Sequence, residues 1–505
     1  MKVQQHFVAI FAGLAIASVC FSGGASAQST PTSQEVTEVL QQIKSLNDAL
    51  RETRAELEQS RAEIRELKTT VENLQASMTV PAPPGSVGEK LTSATEKHNT
   101  PLTQEDLQLL AERVDEHQQT KVESTSKFRV KLSGLVLLNG FTNFGAVDNV
   151  DLPSTALSRP SGTPDGSTGG TMRQSIIGLT GFGPDLLGAR TSGDLQLDFY
   201  GGVPAGYNGS SSGLARLRIG RLRMDWQNTS LVGGVDTPFF SPNSPTSYMT
   251  VGEPALAAAG NLWAWVPSVR GDYRFNSESV DWKIEAGLFD SAGYAGYAPQ
   301  VRYPAGGENS RQPAYSVRFS GTHGEAEHAL TVGFSGLYAP QHFYNGTIVH
   351  GAGVMADWKI PIISHIEASG EFFTGKGLQT FGGTPYALVL SQNATHFGTV
   401  TIPLLAGIGE IGGWSQVKFR VDPKNEFNVA AGYGGYNSTA MREAISYDYY
   451  FSSLPSRNES LLVNYIVRPR SDLLFSAEYR RIKTTLVSGA STTADQVGLA
   501  AGFLF

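Results

Sequence analysis

The chain has 505 residues, of which 40% are hydrophobic and 17% are charged, and its formal net charge is −7. Its 56 glycines, 25 phenylalanines and 18 tyrosines make it rich in residues typical of strands and turns, which favours an all-β body. The negative charge and the lack of a basic run exclude an electrostatic case for nucleic-acid binding.

Residues 1–27 are typical of a secretory signal peptide. An apolar segment from Phe7 to Phe21 follows a positively charged start, and residues 25–27 (ASA) supply a small-residue cleavage site. Cleavage there removes Cys20, the only cysteine. The alternative is a lipoprotein cysteine, although Val19 stands where such sites prefer glycine or alanine. No later run of about 18 apolar residues occurs, which excludes a helical membrane protein.

The heptad pattern of residues 36–78 predicts a coiled coil. The a positions are Val36, Ile43, Leu50, Leu57, Ile64, Val71 and Met78, and the d positions are Val39, Leu46, Thr53, Ser60, Leu67 and Leu74. Glu56 faces Arg61 and Glu63 faces Lys68 at g and the following e, which is the pairing of a parallel assembly. A single solvated helix would need no such register, and the a residues leave two and three strands open.

Residues 79–127 predict a linker with a short helix. The segment from Thr79 to about Pro101 carries proline, glycine and serine, as linkers do. Thr103 and Asp106 then form a capping box that starts the helix.

Residues 128–505 predict an all-β transmembrane barrel of about sixteen antiparallel strands. The strands start near Phe128, Thr171, Asp194, Leu214, Ser230, Ser268, Val280, Ala314, His328, Thr347, His365, Gly413, Glu426, Glu459, Asp472 and Ala494. Connections after even-numbered strands are short, as at Gln227–Thr229, whereas those after odd-numbered strands are mostly longer, as at Pro238–Ala264 and Lys376–Gly412. Short turns on one rim and long loops on the other are typical of an outer-membrane barrel. A soluble sandwich or propeller would not sort its loops in this way.

The final segment, QVGLAAGFLF, predicts the closing strand, with Val497, Leu499, Phe503 and Phe505 on one face. Pairing with the first strand removes the exposed edge, and the apolar face then meets lipid. The same alternation predicts further lipid-facing residues: Trp282, Ile284, Ala286, Leu288, Tyr315, Val317, Phe319, Leu461, Val463, Tyr465, Val467, Leu473, Phe475, Ala477 and Tyr479. An even strand number puts both barrel ends at the short-turn, periplasmic rim, so we expect the coiled coil in the periplasm.

The fourth strand, LARLRIGRLRMDW, carries Arg216, Arg218, Arg221 and Arg223. Strict alternation would turn two of them toward lipid, at a cost of about 2 to 4 kcal/mol each near the midplane. A slip of one residue at Gly220 removes that cost, so we predict a β-bulge at Gly220 and four inward-pointing arginines.

The same alternation predicts a charged inner wall. Its basic set is Arg129, Lys131, Arg173, Arg216, Arg218, Arg221, Arg223, Arg270, Arg274, Lys283, Arg318, Lys418, Arg420 and Arg480, and its acidic set is Asp194, Asp198, Asp225, Asp272, Asp281, Glu285, Glu367, Glu371 and Glu478. Fourteen bases against nine acids leave five positive charges in excess, which would concentrate anions. The residues expected to line the pore and bind solute are Arg173, Arg216, Arg218, Arg221, Arg223, Arg270, Arg318, Arg420 and Arg480. The alternative is an ion-pair ladder within the wall, for example Asp194 and Asp198 with the fourth-strand arginines.

Two long connections are candidates for narrowing the pore. Pro238–Ala264 contains the apolar stretch PALAAAG, which suits packing against the inner wall, and Lys376–Gly412 is longer still. The alternative for either is an outward loop or a subunit contact.

Enzyme motifs are weak. Gly407–Gly412 matches the dinucleotide fingerprint without the flanking strand and helix. Gly209–Gly213 matches the nucleophile elbow, but within a glycine and serine loop. His323 and His328 flank one turn and are more typical of surface residues than of metal ligands. We predict no enzyme, no catalytic residue, no cofactor and no metal site.

Together, the signal peptide, the coiled coil, the sixteen-strand pattern and the terminal Phe505 resemble the DcaP-like trimeric porins of the Gram-negative outer membrane, and MRQSIIGL (residues 172–179) resembles that family locally. The resemblance implies a homotrimer in outer-membrane lipid, with one pore per barrel and a basic lumen that takes small anionic solutes such as dicarboxylates. The chain departs from the family at residues 233–237 (GGVDT), which leaves the solute open. A sixteen-strand barrel is also wide enough for an aqueous channel.

The leading hypothesis is a passive outer-membrane porin for small hydrophilic solutes that are anionic and bear carboxylates. The alternative is a plugged outer-membrane anchor or spacer whose periplasmic coiled coil contacts another envelope component. An outer-membrane enzyme would need a serine, a histidine and an acid converging at one rim, and the sequence offers no such cluster.

Overall fold

The computed structural model describes residues 129–159, 161–162, 164–202, 213–291, 304–324, 328–342, 348–385, 395–397, 400–402, 407–445 and 452–505. The predicted signal peptide, coiled coil and linker lie outside the described residues. Within the described part, no helix is both long enough and apolar enough to cross a membrane.

Sixteen antiparallel strands form one closed sheet in the described residues. They are β1 (Val130–Phe144), β2 (two segments, Gly166–Thr171 and Ile176–Phe182), β3 (Arg190–Asp198), β4 (Arg216–Asp225), β5 (Thr229–Asp236), β6 (Val266–Ser277), β7 (Val280–Phe289), β8 (Ala314–His323), β9 (Leu330–His342), β10 (Ile348–Ile363), β11 (Ile366–Lys376), β12 (Gly409–Asp422), β13 (Asn425–Tyr436), β14 (Pro455–Arg470), β15 (Leu473–Leu486) and β16 (Ser491–Leu504). Both segments of β2 pair with β1, so they count as one strand. The predicted sixteen-strand barrel is confirmed.

Short elements lie outside this sheet. Among the described residues these include the helices α1 (Gly306–Asn309) and α2 (Ser438–Ile445) and a 3₁₀ turn at Gln379–Phe381. Two small hairpins pair Ala146–Val147 with Ala156–Leu157, and Thr395–Phe397 with Val400–Ile402. All of them fall within connections on the long-loop rim.

The barrel closes between β1 and β16, as the terminal strand predicts. Ten consecutive residue pairs join them, from Leu135 with Leu504 to Phe144 with Asp495. Phe505 extends this ladder, because its carbonyl accepts a hydrogen bond from Gly134 N (2.8 Å) and its own N–H donates to Gly134 O (3.1 Å). Its ring covers Gly134, where an added Cβ would lie 2.4 Å from the ring. Closure therefore leaves no exposed strand edge at this seam.

The outer face is apolar, as predicted. Predicted lipid-facing side chains that are exposed include Ile284, Leu288, Tyr315, Val317, Phe319, Leu461, Val463, Phe475 and Tyr479. Near the short turns, Trp282 stacks on Phe319 with ring centroids 4.9 Å apart. An exposed apolar band with aromatic rings near its edge is what a lipid-facing barrel surface requires.

The connections follow the predicted rims with two exceptions. Those after β9 (343–347) and β15 (487–490) are short although they join odd strands to even ones. The glycine motif at residues 407–412 runs into β12 and not into a helix, so it lacks the strand–turn–helix context of a dinucleotide site. Most of the second motif, residues 209–213, lies outside the described residues.

Candidate functional site: the inner wall and the loop within it

The connection between β5 and β6, residues 237–265, folds into the lumen, and we call it the inner loop. Its apolar part packs on the inner wall: Ala255, Leu256 and Ala259 form one cluster with Trp414 of β12 and neighbouring residues of β13 and β14. The inward packing predicted for PALAAAG is confirmed, and the outward alternative is wrong for this stretch. The start of the second long connection is also internal, because Leu378 and Phe381 are fully buried against Phe240 of the inner loop.

Polar side chains of the wall hold the inner loop by its backbone and by two of its serine hydroxyls. Glu371 of β11 accepts hydrogen bonds from Ser241 Oγ and from Asn243 N (2.7 Å). On the other side, Gln174 Oε1 accepts from Val251 N (2.6 Å) and Gly252 N (2.9 Å). Other anchors are Asn139 of β1, Gln416 of β12, Asn464 of β14 and Glu478 of β15. The loop thus binds wall strands far apart around the barrel and narrows the lumen.

Arg173, Arg216 and Arg218 gather beside the inner loop, and we call them the loop arginine cluster. Arg173 binds Asp151 (2.6 Å). Arg216 Nη2 donates to Asp198 (2.7 Å) and to Gly252 O (2.6 Å), and Arg218 Nη1 donates to Val251 O (2.6 Å). Two aromatic rings face these guanidinium groups: Tyr200 lies 4.6 Å from Arg173, and Trp265 lies 4.5 Å from Arg218. The cluster combines cationic donors with aromatic faces.

All four β4 arginines point inward, but the bulge is not where the sequence predicts it. Gln196 of β3 pairs with Ile219, whereas the next β3 residue pairs with Leu217, so Arg218 is the extra residue. The bulge is at Arg218 and the prediction of Gly220 is wrong by two positions. The physical reason is that the guanidinium of Arg218 binds the inner-loop backbone, a contact that the strand sequence does not encode.

A continuous chain of ion pairs crosses β3 to β10 on the inner wall, and we call it the ion-pair belt. Its contacts are Asp194–Arg221 (2.8 Å), Arg221–Asp236 (3.1 Å), Asp236–Arg270 (3.7 Å), Arg270–Asp272 (3.3 Å), Asp272–Lys283 (3.7 Å), Lys283–Glu285 (3.1 Å), Glu285–Arg318 (2.6 Å) and Arg318–Asp357 (2.8 Å). Charges alternate in sign along it. The ladder predicted as the alternative is therefore present in the wall, and Asp194 and Asp198 pair with β4 arginines as that alternative requires.

Each of the nine arginines predicted to line the pore has an ion-pair partner in the described residues. Beyond those above, the partners are Asp198 for Arg218 (3.9 Å), Asp225 for Arg223 (2.7 Å), Glu367 for Arg420 (3.3 Å) and Glu478 for Arg480 (2.8 Å). Their exposure differs: the side chain of Arg420 is 37% exposed, whereas those of Arg318 and Arg480 are 7% and 4% exposed. Arg318 and Arg480 thus offer little surface to a solute.

The remaining predicted bases have mixed surroundings. Arg129 lies over the Phe182 ring (4.6 Å), and Arg274 donates to Ser230 Oγ (2.8 Å). Lys131 is half-buried on β1. These three contribute to the wall near the short turns.

Within the part of the chain that the structure describes, sequence alternation missed six charged residues that form ion pairs with the predicted set or with its partners. The added bases are Lys359 and Arg468, and the added acids are Asp151, Asp236, Asp357 and Glu426. Four acids against two bases reduce the predicted excess of five positive charges. The alternation of β10 carried the signal for Asp357 and Lys359, since both share a face with the buried Met355. Asp151 lies in a connection, where no periodicity could have found it.

Glu253 lies on the inner loop, outside the strands, and interacts electrostatically with Asp148, Asp151 and Arg216. Burial raises its pKa to about 7, the charge of Asp148 adds to this, and Arg216 acts in the opposite direction. The charge that the inner loop presents beside the loop arginine cluster therefore changes near neutral pH.

Similar barrels exist among solved structures. The outer membrane channel DcaP of Acinetobacter baumannii has a TM-score of 0.57 and 17% identity, over 77% of this chain and 100% of that chain. Two further structures each match over 75% of this chain. They are the anion-selective porin from Comamonas acidovorans (TM-score 0.44, 13% identity, 100% of that chain) and OprB of Pseudomonas putida (TM-score 0.46, 10% identity, 94% of that chain). No family model and no curated protein matches the sequence. The described part of this chain has the fold of the DcaP-like outer-membrane porins.

Proposed function

We propose that this protein is an outer-membrane porin, a passive channel for small hydrophilic solutes, with a preference for anions that bear carboxylates. The observation that carries the proposal is a closed sixteen-strand barrel whose outer face is apolar and whose inner wall is lined by charged side chains. A charged lumen can hold water and ions, and an apolar outer face can contact lipid. The loop arginine cluster is the part of the wall best suited to an anion, because its guanidinium groups lie at the narrowing made by the inner loop.

The assembly is part of the same proposal. We expect a homotrimer with one pore per barrel, anchored in outer-membrane lipid, and with the coiled coil of residues 36–78 in the periplasm. The parallel g–e′ pairing of that segment supports association of several copies. The proposed role is passive transport without catalysis, cofactor or metal.

A second function has one observation in its favour. The inner loop has many wall contacts and occupies part of the lumen, which is also what a plugged anchor or spacer would need. In that case the periplasmic coiled coil would bind another envelope component, and the barrel would pass no ions.

The deciding measurement is single-channel conductance and reversal potential in a planar bilayer under a KCl gradient. An open trimeric porin gives stepwise openings in threes with anion selectivity. Arg218→Gln should lower that selectivity, whereas Arg481→Gln, which removes a charge that is 56% exposed and outside the inner-wall set, should not. Silence from protein that shows heat-modifiable gel mobility, and is therefore folded, would reject the porin in favour of the plugged anchor.

A further inference from the structure

A second group of cations lies near the short-turn rim, and we call it the rim cluster. It consists of Lys359 on β10, Lys418 and Arg420 on β12, and Arg468 on β14, each within four residues of the end of its strand. Lys359 and Arg468 were not predicted from the sequence to face inward. The rim cluster is separate from the loop arginine cluster, which lies on β4 and on the link between the two segments of β2.

Two carboxylates lie among these four cations. The contacts are Lys359–Glu367 (3.7 Å), Arg420–Glu367 (3.3 Å), Lys418–Glu426 (3.7 Å) and Arg468–Glu426 (3.6 Å). All four contact distances are longer than the roughly 2.7 to 2.9 Å of charge-assisted hydrogen bonds. The rim cluster and its two carboxylates thus carry two positive charges in excess, in contrast to the ion-pair belt, in which five acids outnumber four bases.

Strand pairing brings the two halves of the rim cluster together. Lys418 is directly opposite Glu367 in the β11–β12 ladder, and Arg420 is directly opposite Glu426 in the β12–β13 ladder. Facing pairs of this kind have Cβ atoms about 4.5 to 5.5 Å apart. The six charged groups therefore form one patch across β10 to β14.

The patch is open to solvent beneath the inner loop. The side chain of Arg468 is 30% exposed and that of Arg420 is 37% exposed. Tyr248 of the inner loop lies beside Arg468, with its ring centre 5.7 Å from the guanidinium and its hydroxyl accepting a hydrogen bond from Nη2 (3.2 Å). A solute that passes the inner loop on this side meets the rim cluster next.

We propose that the rim cluster is an anion-binding site for a doubly charged oxyanion of the phosphate type, at the short-turn mouth of the pore. Two excess positive charges match a divalent anion. The forked guanidinium groups of Arg420 and Arg468 supply paired donors, and the lysine ammonium groups supply further charge. The proposal rests on the proposed porin function for its role in transport, but binding itself does not require conduction.

The test is calorimetric titration of the purified full-length protein, in detergent micelles, with inorganic phosphate. Lys418→Gln and Arg468→Gln should each weaken phosphate binding by about thirtyfold, the effect of one unit charge on a doubly charged anion at about 4 Å in water. Glu426→Gln should tighten it, because it removes a negative charge and keeps an acceptor for Asn428 Nδ2 (2.8 Å). Lys483→Gln removes an equal charge near the long-loop rim and should leave binding unchanged.

The proposal is overturned if phosphate does not bind, or if Lys418→Gln, Arg468→Gln and Glu426→Gln all bind it as the parent does. It is also overturned if Lys483→Gln weakens binding as much as Lys418→Gln, since the effect would then be one of net charge. A bilayer measurement separates this proposal from the porin itself. Conducting protein that neither binds phosphate nor is blocked by it rejects the rim site alone, whereas silent protein that binds phosphate rejects the porin alone.

Discussion

Arg318 on β8 holds two carboxylates in the wall, and its removal gives a sharp test of the ion-pair belt. Its Nη2 and Nε donate to the two oxygens of Asp357 (2.8 and 3.0 Å), and its Nη1 donates to Glu285 (2.6 Å). All three side chains are at most 7% exposed. In Arg318→Met, Asp357 loses both of these bonds, while Glu285 keeps Lys283 at 3.1 Å.

The expected loss of stability is large. Removing one partner of a buried ion pair costs about 3 to 5 kcal/mol, because the other charge stays buried without compensation. Arg470 is the matched control, since it makes the same two-bond contact with Asp472 (3.0 and 3.0 Å) but is 74% exposed. Exposed pairs contribute only about 0.2 to 1 kcal/mol. The Arg318→Met variant should therefore lose several times more stability than Arg470→Met.

The assay is reversible urea unfolding of the barrel from lipid vesicles, followed by tryptophan fluorescence and by heat-modifiable gel mobility. Adding Asp357→Asn to Arg318→Met should recover part of the loss, with a coupling of about 0.5 to 3 kcal/mol, because the buried charge is then gone. Equal losses in Arg318→Met and Arg470→Met would refute the view that burial makes the belt strong. A double variant no more stable than Arg318→Met would refute the assignment of the cost to Asp357.

Three further outcomes follow from the loop and the seam. Burial raises the pKa of Glu253 to about 7, above its usual 4.5. Anion selectivity should therefore fall as pH rises through 7, and the free energy of unfolding should decrease as pH rises from 4.5 to 7. Glu253→Gln should flatten both pH profiles, measured by reversal potential and by unfolding, and an unchanged profile in this variant would contradict the reasoning. Gly260 has φ +100°, and a Cβ there would lie 2.2 Å from Gly413 O. Gly260→Ala should therefore displace the inner loop from the wall and raise the single-channel conductance. Equal conductance would show that the loop does not limit the pore. Gly134→Val should displace the ring of Phe505 and lower the fraction of heat-resistant folded barrel on gels, and a normal fraction would show that the seam tolerates a side chain there.

The sequence predicted the barrel well because lipid imposes a simple rule on it. Every backbone group must pair within the sheet, and every outward side chain must be apolar, so strands repeat with a period of two and end at turn residues. This rule sufficed for the sixteen strands, for the closing pair of β1 and β16, and for the inward direction of the β4 arginines.

The candidate site was predictable only in part, because the interior is ordered by contacts between distant segments. The sequence identified most inner-wall arginines and many of their acidic partners, but it missed Asp151, which lies in a connection, and Arg468, which stands next to a turn. It placed the bulge at Gly220, since glycine tolerates a bulge, whereas a hydrogen bond from Arg218 to the inner loop decides its position.

Local alternation thus determined which face of each strand meets lipid, and with it the architecture of the wall. Local alternation does not determine the charge of the lumen, because that charge depends on which acids and bases from different strands and loops come within about 4 Å of one another. The inner loop contacts residues of β1, β2, β11 and β12 that are far from it in sequence. The ion-pair belt likewise joins distant residues, from Asp194 to Asp357. Only the closed tertiary structure brings those groups together, because curvature and strand register, and not sequence spacing, set the distances between them.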